Sequence, residues 1–353
     1  MNKYVFFACC LLLLGSGCKS EEKQGQASAA EAANLPDRWI VGFYNVENLF
    51  DIHDEPVKLD EDFTPKGRYN WTTQKYLDKI DNLARAIGTM GENGPDILGL
   101  AEVENAQVVK DMVQMTELKD RQYEVVHEES PDMRGIDVAL IYNPKTFAYQ
   151  SHKAVEITFP AEPNYTSRKI LHVSGMMGGE KVHILVNHWP SRRGGQEESE
   201  PRRLRAAEVA AEILAEIRKD EESLVLIMGD MNDDPFNRSI AEVLQAKGDL
   251  AQVAEDDLYN PMTVMHRPED RGTLTYKGKW NLFDQILVSE DWMDQENTLL
   301  YQPGNAFIHG PEFMQVGGDG PAKDMPRRAI YRGEFQERGF SDHFPVYLLI
   351  GRQ

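Results

Sequence analysis

Cysteine is almost missing from this chain. Its three cysteines, Cys9, Cys10 and Cys18, all fall within the first 18 of 353 residues. The rest of the protein therefore has no disulfide and no thiolate metal site. Long apolar runs are missing too. The longest, "YVFFACCLLLL", is too short to cross a bilayer as a helix, which takes about 20 residues. Positive charge is also in short supply: 38 Lys and Arg against 58 Asp and Glu leave a formal net charge of −20. That balance argues against broad electrostatic attraction to nucleic acid or anionic lipid. It leaves open a phosphate substrate held by a bound cation and a local arginine cluster.

What is present is a folded globular composition, 41% hydrophobic and 27% charged, long enough for one large domain or two ordinary ones. Lys3, the apolar run and the small-residue segment "GSGC" read as an export signal over residues 1–18. The segment resembles a bacterial lipoprotein signal, which implies lipidation of Cys18 after cleavage. It departs from that pattern in having Gly15 where a Leu is usual, with Leu14 one place further off; a plain cleaved signal is the alternative. Residues 19–37, polar, Ala-rich and without hydrophobic period, read as a flexible tether. Its acidic "SEEK" is similar to surface-export signals of Bacteroides-like lipoproteins or is ordinary linker charge. The expected location is extracytoplasmic, at the outer membrane, with membrane contact through the lipid anchor only.

From residue 38 onward, short apolar runs alternate with helical stretches. "WIVGFYNV", "DILGLAEV", "DVALIYN", "KVHILVNH", "SLVLIMGD", "NLFDQILVS" and "FPVYLLI" predict strands buried on at least one face. "TTQKYLDKIDNLARAIGTMG" predicts a helix with Thr72 or Thr73 as cap and Gly91 as stop, and "RRLRAAEVAAEILAEIRK" predicts a second. The alternation indicates an α/β fold, and with no Gly/Pro-rich linker, residues 38–353 are expected to form a single domain, monomeric. Residues 51–71 and 300–339 read as long loops, a type that is often functional.

The strand ends carry the chemistry. Asn45 and Glu47 follow one strand, Glu102 another, Asn187 and His188 a third, Asp230 and Asn232 a fourth; Asp284 sits in a fifth, and Asp342 with His343 precedes the last. Each alone could be a turn residue, a solvated charge or a core histidine. Together and in this order they resemble the endonuclease/exonuclease/phosphatase family, with "GDMND" and the late "SDH" as the most specific parts. The resemblance covers essentially residues 38–351 and implies a four-layer α/β sandwich of two packed, mainly antiparallel sheets flanked by helices, with the site along one edge.

Phosphate ester hydrolysis calls for positioning, charge neutralisation and an in-line water more than for covalent participation. The resemblance implies Mg²⁺, with Mn²⁺ as substitute, held by Glu102, with Glu47 and Asp342 as further ligands. It implies that His343, oriented by Asp284, bonds the scissile phosphate. Asp230 would orient or deprotonate the water, Asn232 would hold that water or a phosphate oxygen, and Asn45 belongs to the same catalytic set. His188 occupies the place of a second histidine in DNase I-like members, with Asp137 as a candidate partner. Arg192, Arg193 and Arg134 are candidate substrate-binding cations, and Arg202, Arg203, Arg205, Arg327 and Arg328 further ones; helix-face pairing with Glu197, Glu198, Glu200 and Glu208 is the alternative for the helix arginines. The expected activity is that of an exported nuclease cutting DNA or RNA. A phosphatase or a lipid or inositol phosphodiesterase of the same family is one alternative, and a non-catalytic surface binding lipoprotein another.

Overall fold

The structure, a computed structural model, describes residues 37–220 and 223–353. Cys18, the export signal and the tether up to Pro36 lie outside the described residues. In chain order the strands are β1 (Arg38–Leu49), β2 (Ile97–Val103), β3 (Glu124–His127), β4 (Asp137–Tyr142), β5 (Phe147–Val155), β6 (Ile170–Met177), β7 (Glu180–His188), β8 (Leu224–Asp230), β9 (Ala246–Lys247), β10 (Leu258–Tyr259), β11 (Leu274–Tyr276), β12 (Lys279–Asn281), β13 (Asp284–Ser289), β14 (Leu299–Ile308), β15 (Ile330–Tyr331), β16 (Glu334–Phe335) and β17 (Val346–Arg352). The α-helices are α1 (Thr73–Gly88), α2 (Ala106–Val113) and α3 (Gln196–Asp220).

Two sheets dominate, ordered β14-β17-β1-β2-β4-β3 and β5-β6-β7-β8-β13-β10-β9. Both are mixed: β1/β2, β7/β8 and β9/β10 run parallel, and the other neighbours are antiparallel. Side-chain alternation then builds the layers. Val41 and Phe43 of β1 and Leu226 and Met228 of β8 point into the core between the sheets. Tyr44 and Val46 point the other way, beneath α1 and α2, while Val225 and Ile227 pack against α3. Central strands covered on both faces read as continuous apolar runs, which is why the sequence shows them so clearly. The sheets approach closely at Gly99, where an added Cβ would lie 2.7 Å from Met228 Sδ.

Helix α1 starts where Thr72 Oγ1 accepts the Lys75 amide, and it ends at Gly88, three residues ahead of Gly91. Helix α2, capped by Asn105, is too short to announce itself by periodicity. Segment 51–71 is a strandless loop with one 3₁₀ turn, anchored by the stacked rings of Phe50 and Phe63, 4.2 Å apart. The expected loop at 300–339 is corrected: its first part is β14, paired with β17, and a register shift between Tyr301 and Ala306 accommodates the turn-like residues Pro303 and Gly304. Strand β5 escaped the sequence pattern because it is a sheet edge whose residues Ala148–Lys153 are exposed.

Candidate active site

The parallel pairs β1/β2 and β7/β8 end side by side, so four chain segments finish at one edge of the sandwich. Strand β13 begins there, its Asp284 opposite Asp230 of β8. The backbone is distorted where it must turn side chains into the edge. Glu47, Asn48, Glu102 and Asn232 all have φ between 50° and 63°, a left-handed region that non-glycine residues adopt at a cost. In β1 and β2 those residues coincide with register shifts, and bulges of this kind re-aim side chains.

At the centre, His343 Nδ1 lies 2.7 Å from Asp284 Oδ2, and its Nε2 faces Asp230 Oδ2 at 3.9 Å and Asp342 Oδ1 at 3.8 Å. Burial works against the imidazolium, but the carboxylates of Asp284, Asp342 and Asp230 outweigh it and raise the pKa of His343 well above that of an ordinary histidine. His188 is its opposite. Its Nε2 faces Asp230 Oδ2 at 3.7 Å and Glu102 Oε1 at 3.9 Å, yet burial, helped by Arg168, Arg134 and His343, lowers its pKa well below the ordinary value. The packed edge thus moves the two histidines in opposite directions.

Asp230 sits between them. Burial pushes its pKa up to about 7, with Asp284 adding to the rise and His343 opposing it. Asn45 Nδ2 donates to Asp230 Oδ2 at 3.0 Å, and the Asn232 amide N–H donates to Asp230 Oδ1 at 2.9 Å. Asn232 Nδ2 donates to the Trp189 carbonyl, which leaves its Oδ1 and second amide hydrogen for a ligand. Ser341 Oγ donates to the Asn45 carbonyl and accepts from the His343 amide, tying the last segment to β1.

These groups open onto a cleft of ≈ 760 Å³ walled by Glu102, His188, Asp230, Asn232, Asp342 and His343, with Arg134, Arg193 and the β11–β12 hairpin at its rim. Glu102 Oε2 accepts the Asn48 amide at 2.9 Å. Glu47 lies one layer behind the wall: it is buried, and its oxygens accept the Ala329 and Ile330 amides. Burial and the Asp342 charge push it up to about 8, with Lys79 opposing.

Several expected partners are rearranged. Asp137 pairs with His127, at 3.2 Å, and not with His188; the carboxylate is held at the β4 end by the Ser130 amide. Arg192 lines the cleft, but its guanidinium bonds the Asn232 carbonyl, Gln196, Asp233, Asp234 and Asn237 and lies over the Phe283 ring. Arg202 pairs with Glu162, Arg203 with Asp233, and Arg205 with Glu208 and Glu212. Only Glu208 among these partners was expected from helix spacing; Glu212 lies two turns along the same helix, and Glu162 and Asp233 are close in space and distant in sequence. Arg327 bonds the Val316 carbonyl, and Arg328 grips Asp342 Oδ2 at 3.0 Å.

Sequence reasoning missed three contributors. Lys79, fully buried in α1, donates to the Phe340 carbonyl behind Glu47 and Asp342; a lysine among the apolar positions of α1 was the available signal. Arg168 ties the His188 and Trp189 carbonyls to Asp132. The hairpin that places Tyr276 and Lys277 on the rim carries no local signal of function.

An edge site of paired carboxylates and two histidines with opposite pKa shifts is suited to phosphoester hydrolysis. The family model "Endonuclease/Exonuclease/phosphatase family" matches residues 40–352. The chain belongs to this family and is a phosphoester hydrolase. No curated protein matches it. Among solved structures it resembles D. rerio TDP2 complexed with single-strand DNA product, at 13% identity and TM-score 0.53 over 90% of this chain and 100% of that one. It also resembles a Bacteroides thetaiotaomicron endonuclease/exonuclease/phosphatase family protein, at 15%, TM-score 0.55, over 90% and 99% of the two chains. A third is the B. thetaiotaomicron mannosyl-6-phosphatase, at 15%, TM-score 0.52, over 88% and 99%. At these identities the likeness shows the fold.

Divalent metal use is typical of the family, and the residues here fit such an ion. Glu102, Asp230 and Asp342 present carboxylate oxygens on the cleft wall, the donors that hard cations take. Burial with neighbouring carboxylates drives Glu47 and Asp230 toward protonation, a penalty that added positive charge relieves. Asp284 Oδ1 is buried without a hydrogen-bond partner.

Proposed function

We propose that this protein is an exported, Mg²⁺-dependent phosphodiesterase that cleaves nucleic acid. The observation that carries the reading is the His343–Asp284 pair, a buried imidazole held at 2.7 Å by a carboxylate and lining an open cleft together with His188. Glu102 and Asp342, with Glu47 behind them, would hold the cation, whose charge would offset that of the phosphate and of the departing oxygen. His343 Nε2–H donates to a non-bridging phosphate oxygen and strengthens that bond as charge grows there. Asp284 fixes the ring and keeps the proton on it.

Asp230, aligned by Asn45, takes the proton from the attacking water as its oxygen bonds phosphorus. The bond to the leaving oxygen breaks, and that oxygen takes a proton from solvent. Asn232 orients the water or a phosphate oxygen. His188, uncharged, closes the far side without attracting carboxylates away from the cation. Export and lipidation at Cys18 rest on the sequence of residues 1–18.

The test incubates the soluble domain with plasmid DNA, RNA, a nucleoside monophosphate, an inositol phosphate and sphingomyelin, with and without Mg²⁺. Cleavage of plasmid or RNA that stops on chelation is expected. Release of phosphate from monoesters while both polymers stay intact overturns the nuclease assignment in favour of a phosphatase. Binding without turnover on every substrate favours a non-catalytic surface protein.

A further inference from the structure

Beside the active-site cleft lies a second one, of ≈ 330 Å³, which the two share through Arg134, Ser191 and Arg193. Its remaining wall includes Asp132, Tyr165, Arg168 and Arg202. The arginines there are unequally matched. Arg202 is neutralised by Glu162 and stacks over Tyr165, 4.0 Å from the ring centre. Asp132 serves two arginines at once, Arg168 at 3.1 Å and Arg134 at 3.5 Å. Arg193 is exposed, and among the described residues its guanidinium has no hydrogen bond or ion pair. Its chain neighbours Arg192, Arg202, Arg203 and Arg205 each hold a carboxylate.

In a chain of net charge −20, a wall with about two positive charges in excess is a local exception that attracts an anion. The wall is also built. Arg168, 3% exposed in its side chain, is bonded to Asp132 and to the backbone carbonyls of His188 and Trp189. It therefore fixes the Arg134 loop relative to the catalytic histidine. Because Arg134, Ser191 and Arg193 line both clefts, an anion in the side cleft lies next to the reacting phosphate.

We propose that this side cleft is a second phosphate subsite, in which Arg134 and Arg193 hold the phosphodiester adjoining the one being cut, and that the preferred substrate is therefore a polynucleotide. The inference rests on the phosphodiesterase reading of the neighbouring cleft. A monoester with one phosphate leaves the subsite idle. Phosphate contacts of this kind carry affinity and register without reading sequence.

The test compares kcat/KM on a single-stranded oligonucleotide with that on bis(p-nitrophenyl) phosphate for wild type, Arg193→Ala, Arg134→Ala and the double variant, across a salt series. In the double variant the oligonucleotide-to-small-diester ratio is expected to fall about tenfold or more, mainly through KM. The salt dependence of the oligonucleotide reaction should flatten by about 0.7 in log–log slope, the value for one phosphate contact on a single strand. Arg193→Lys should retain most of that slope. A ratio and slope equal to wild type, or equal losses on both substrates, overturn the subsite. If wild type cleaves the small diester but no oligonucleotide, the nuclease reading fails. A sugar bisphosphate then replaces the polymer: its preference over the monophosphate, lost in the double variant, overturns the polynucleotide assignment alone, and no preference overturns the subsite as well.

Discussion

Two places in this molecule hold the same ingredients. Asp230, Asp284 and His343 offer ligand atoms within 4.8 Å of one another, and so do His127, Glu129 and Asp137. The first trio is buried and stands where mid-sheet strands end, with Asp230 and His343 on a cleft of ≈ 760 Å³. The second closes a sheet margin: His127 ends edge strand β3, Asp137 starts β4, and Glu129 is exposed. No member of the second trio lines the active-site cleft. In the edge trio, His127 and the Ser130 amide occupy the Asp137 carboxylate. In the central trio, His343 Nε2 and Asp284 Oδ1 have no hydrogen bond among the described residues. Residue types are therefore insufficient to mark a site; an unfilled valence facing a cavity distinguishes the two.

The sharpest way to break the comparison is to truncate both histidines. His343→Ala and Asp230→Asn should each lower kcat/KM by about 10²–10⁴-fold. His127→Ala should change turnover per folded molecule by less than about threefold while costing about 1–3 kcal/mol in a urea titration, because Asp137 loses a buried partner. Equal loss of turnover at both places would erase the distinction. Next, Glu102→Gln should raise the Mg²⁺ concentration for half-maximal rate about tenfold or more, read from metal titrations after chelator treatment. The His127 variant should leave that midpoint in place.

The pH profile is a smaller effect. With Asp230 pushed up to about 7, the base is protonated below that value, so kcat/KM should climb as pH rises toward neutrality. Because bound cation favours the carboxylate, the midpoint should move to lower pH as Mg²⁺ increases. A rate flat from pH 5 to 8 would remove Asp230 from that role.

The smallest expected effect concerns a half-buried histidine away from the cleft. His172, 2.7 Å from His183, has its pKa lowered to about 4, by burial first and then by His183 and Lys153. Between about 4 and 6.5 the unfolded chain holds more protons at this site, so its contribution to stability grows as pH rises through that window. Wild type and His172→Gln, compared by thermal melts, should diverge across this range by about 1–2 kcal/mol, allowing for partial exposure. Parallel curves would show that the imidazole titrates as it does in the unfolded chain.

Much of the fold was legible because the strands β1, β2, β4, β7, β8, β13 and β17 are covered on one or both faces and so are written as apolar runs. The polar residues that follow them stand out against that background. Asn45, Glu102, His188, Asp230, Asn232, Asp284, Asp342 and His343 could be picked for this reason and are brought to one edge; Glu47 is brought to it but lies behind the wall. Edge strand β5, bulged β14 and short α2 carry no such contrast. Of the α3 arginines, spacing sorts only Arg205 with Glu208, since Glu162 and Asp233, the partners of Arg202 and Arg203, lie outside the helical repeat.

Local sequence determined which segments are strands, where each ends and which polar group it delivers, because burial and periodicity act over a few residues. Tertiary structure decided the charge state and availability of those groups. The contacts responsible span 59 residues for His343 with Asp284, 185 for Asn45 with Asp230 and 261 for Lys79 with Phe340. A pKa depends on burial and on nearby charge. Both are properties of the packed edge, so the pKa of His343 rises, that of His188 falls, and among the described residues the Arg193 guanidinium has no partner while that of Arg192 does.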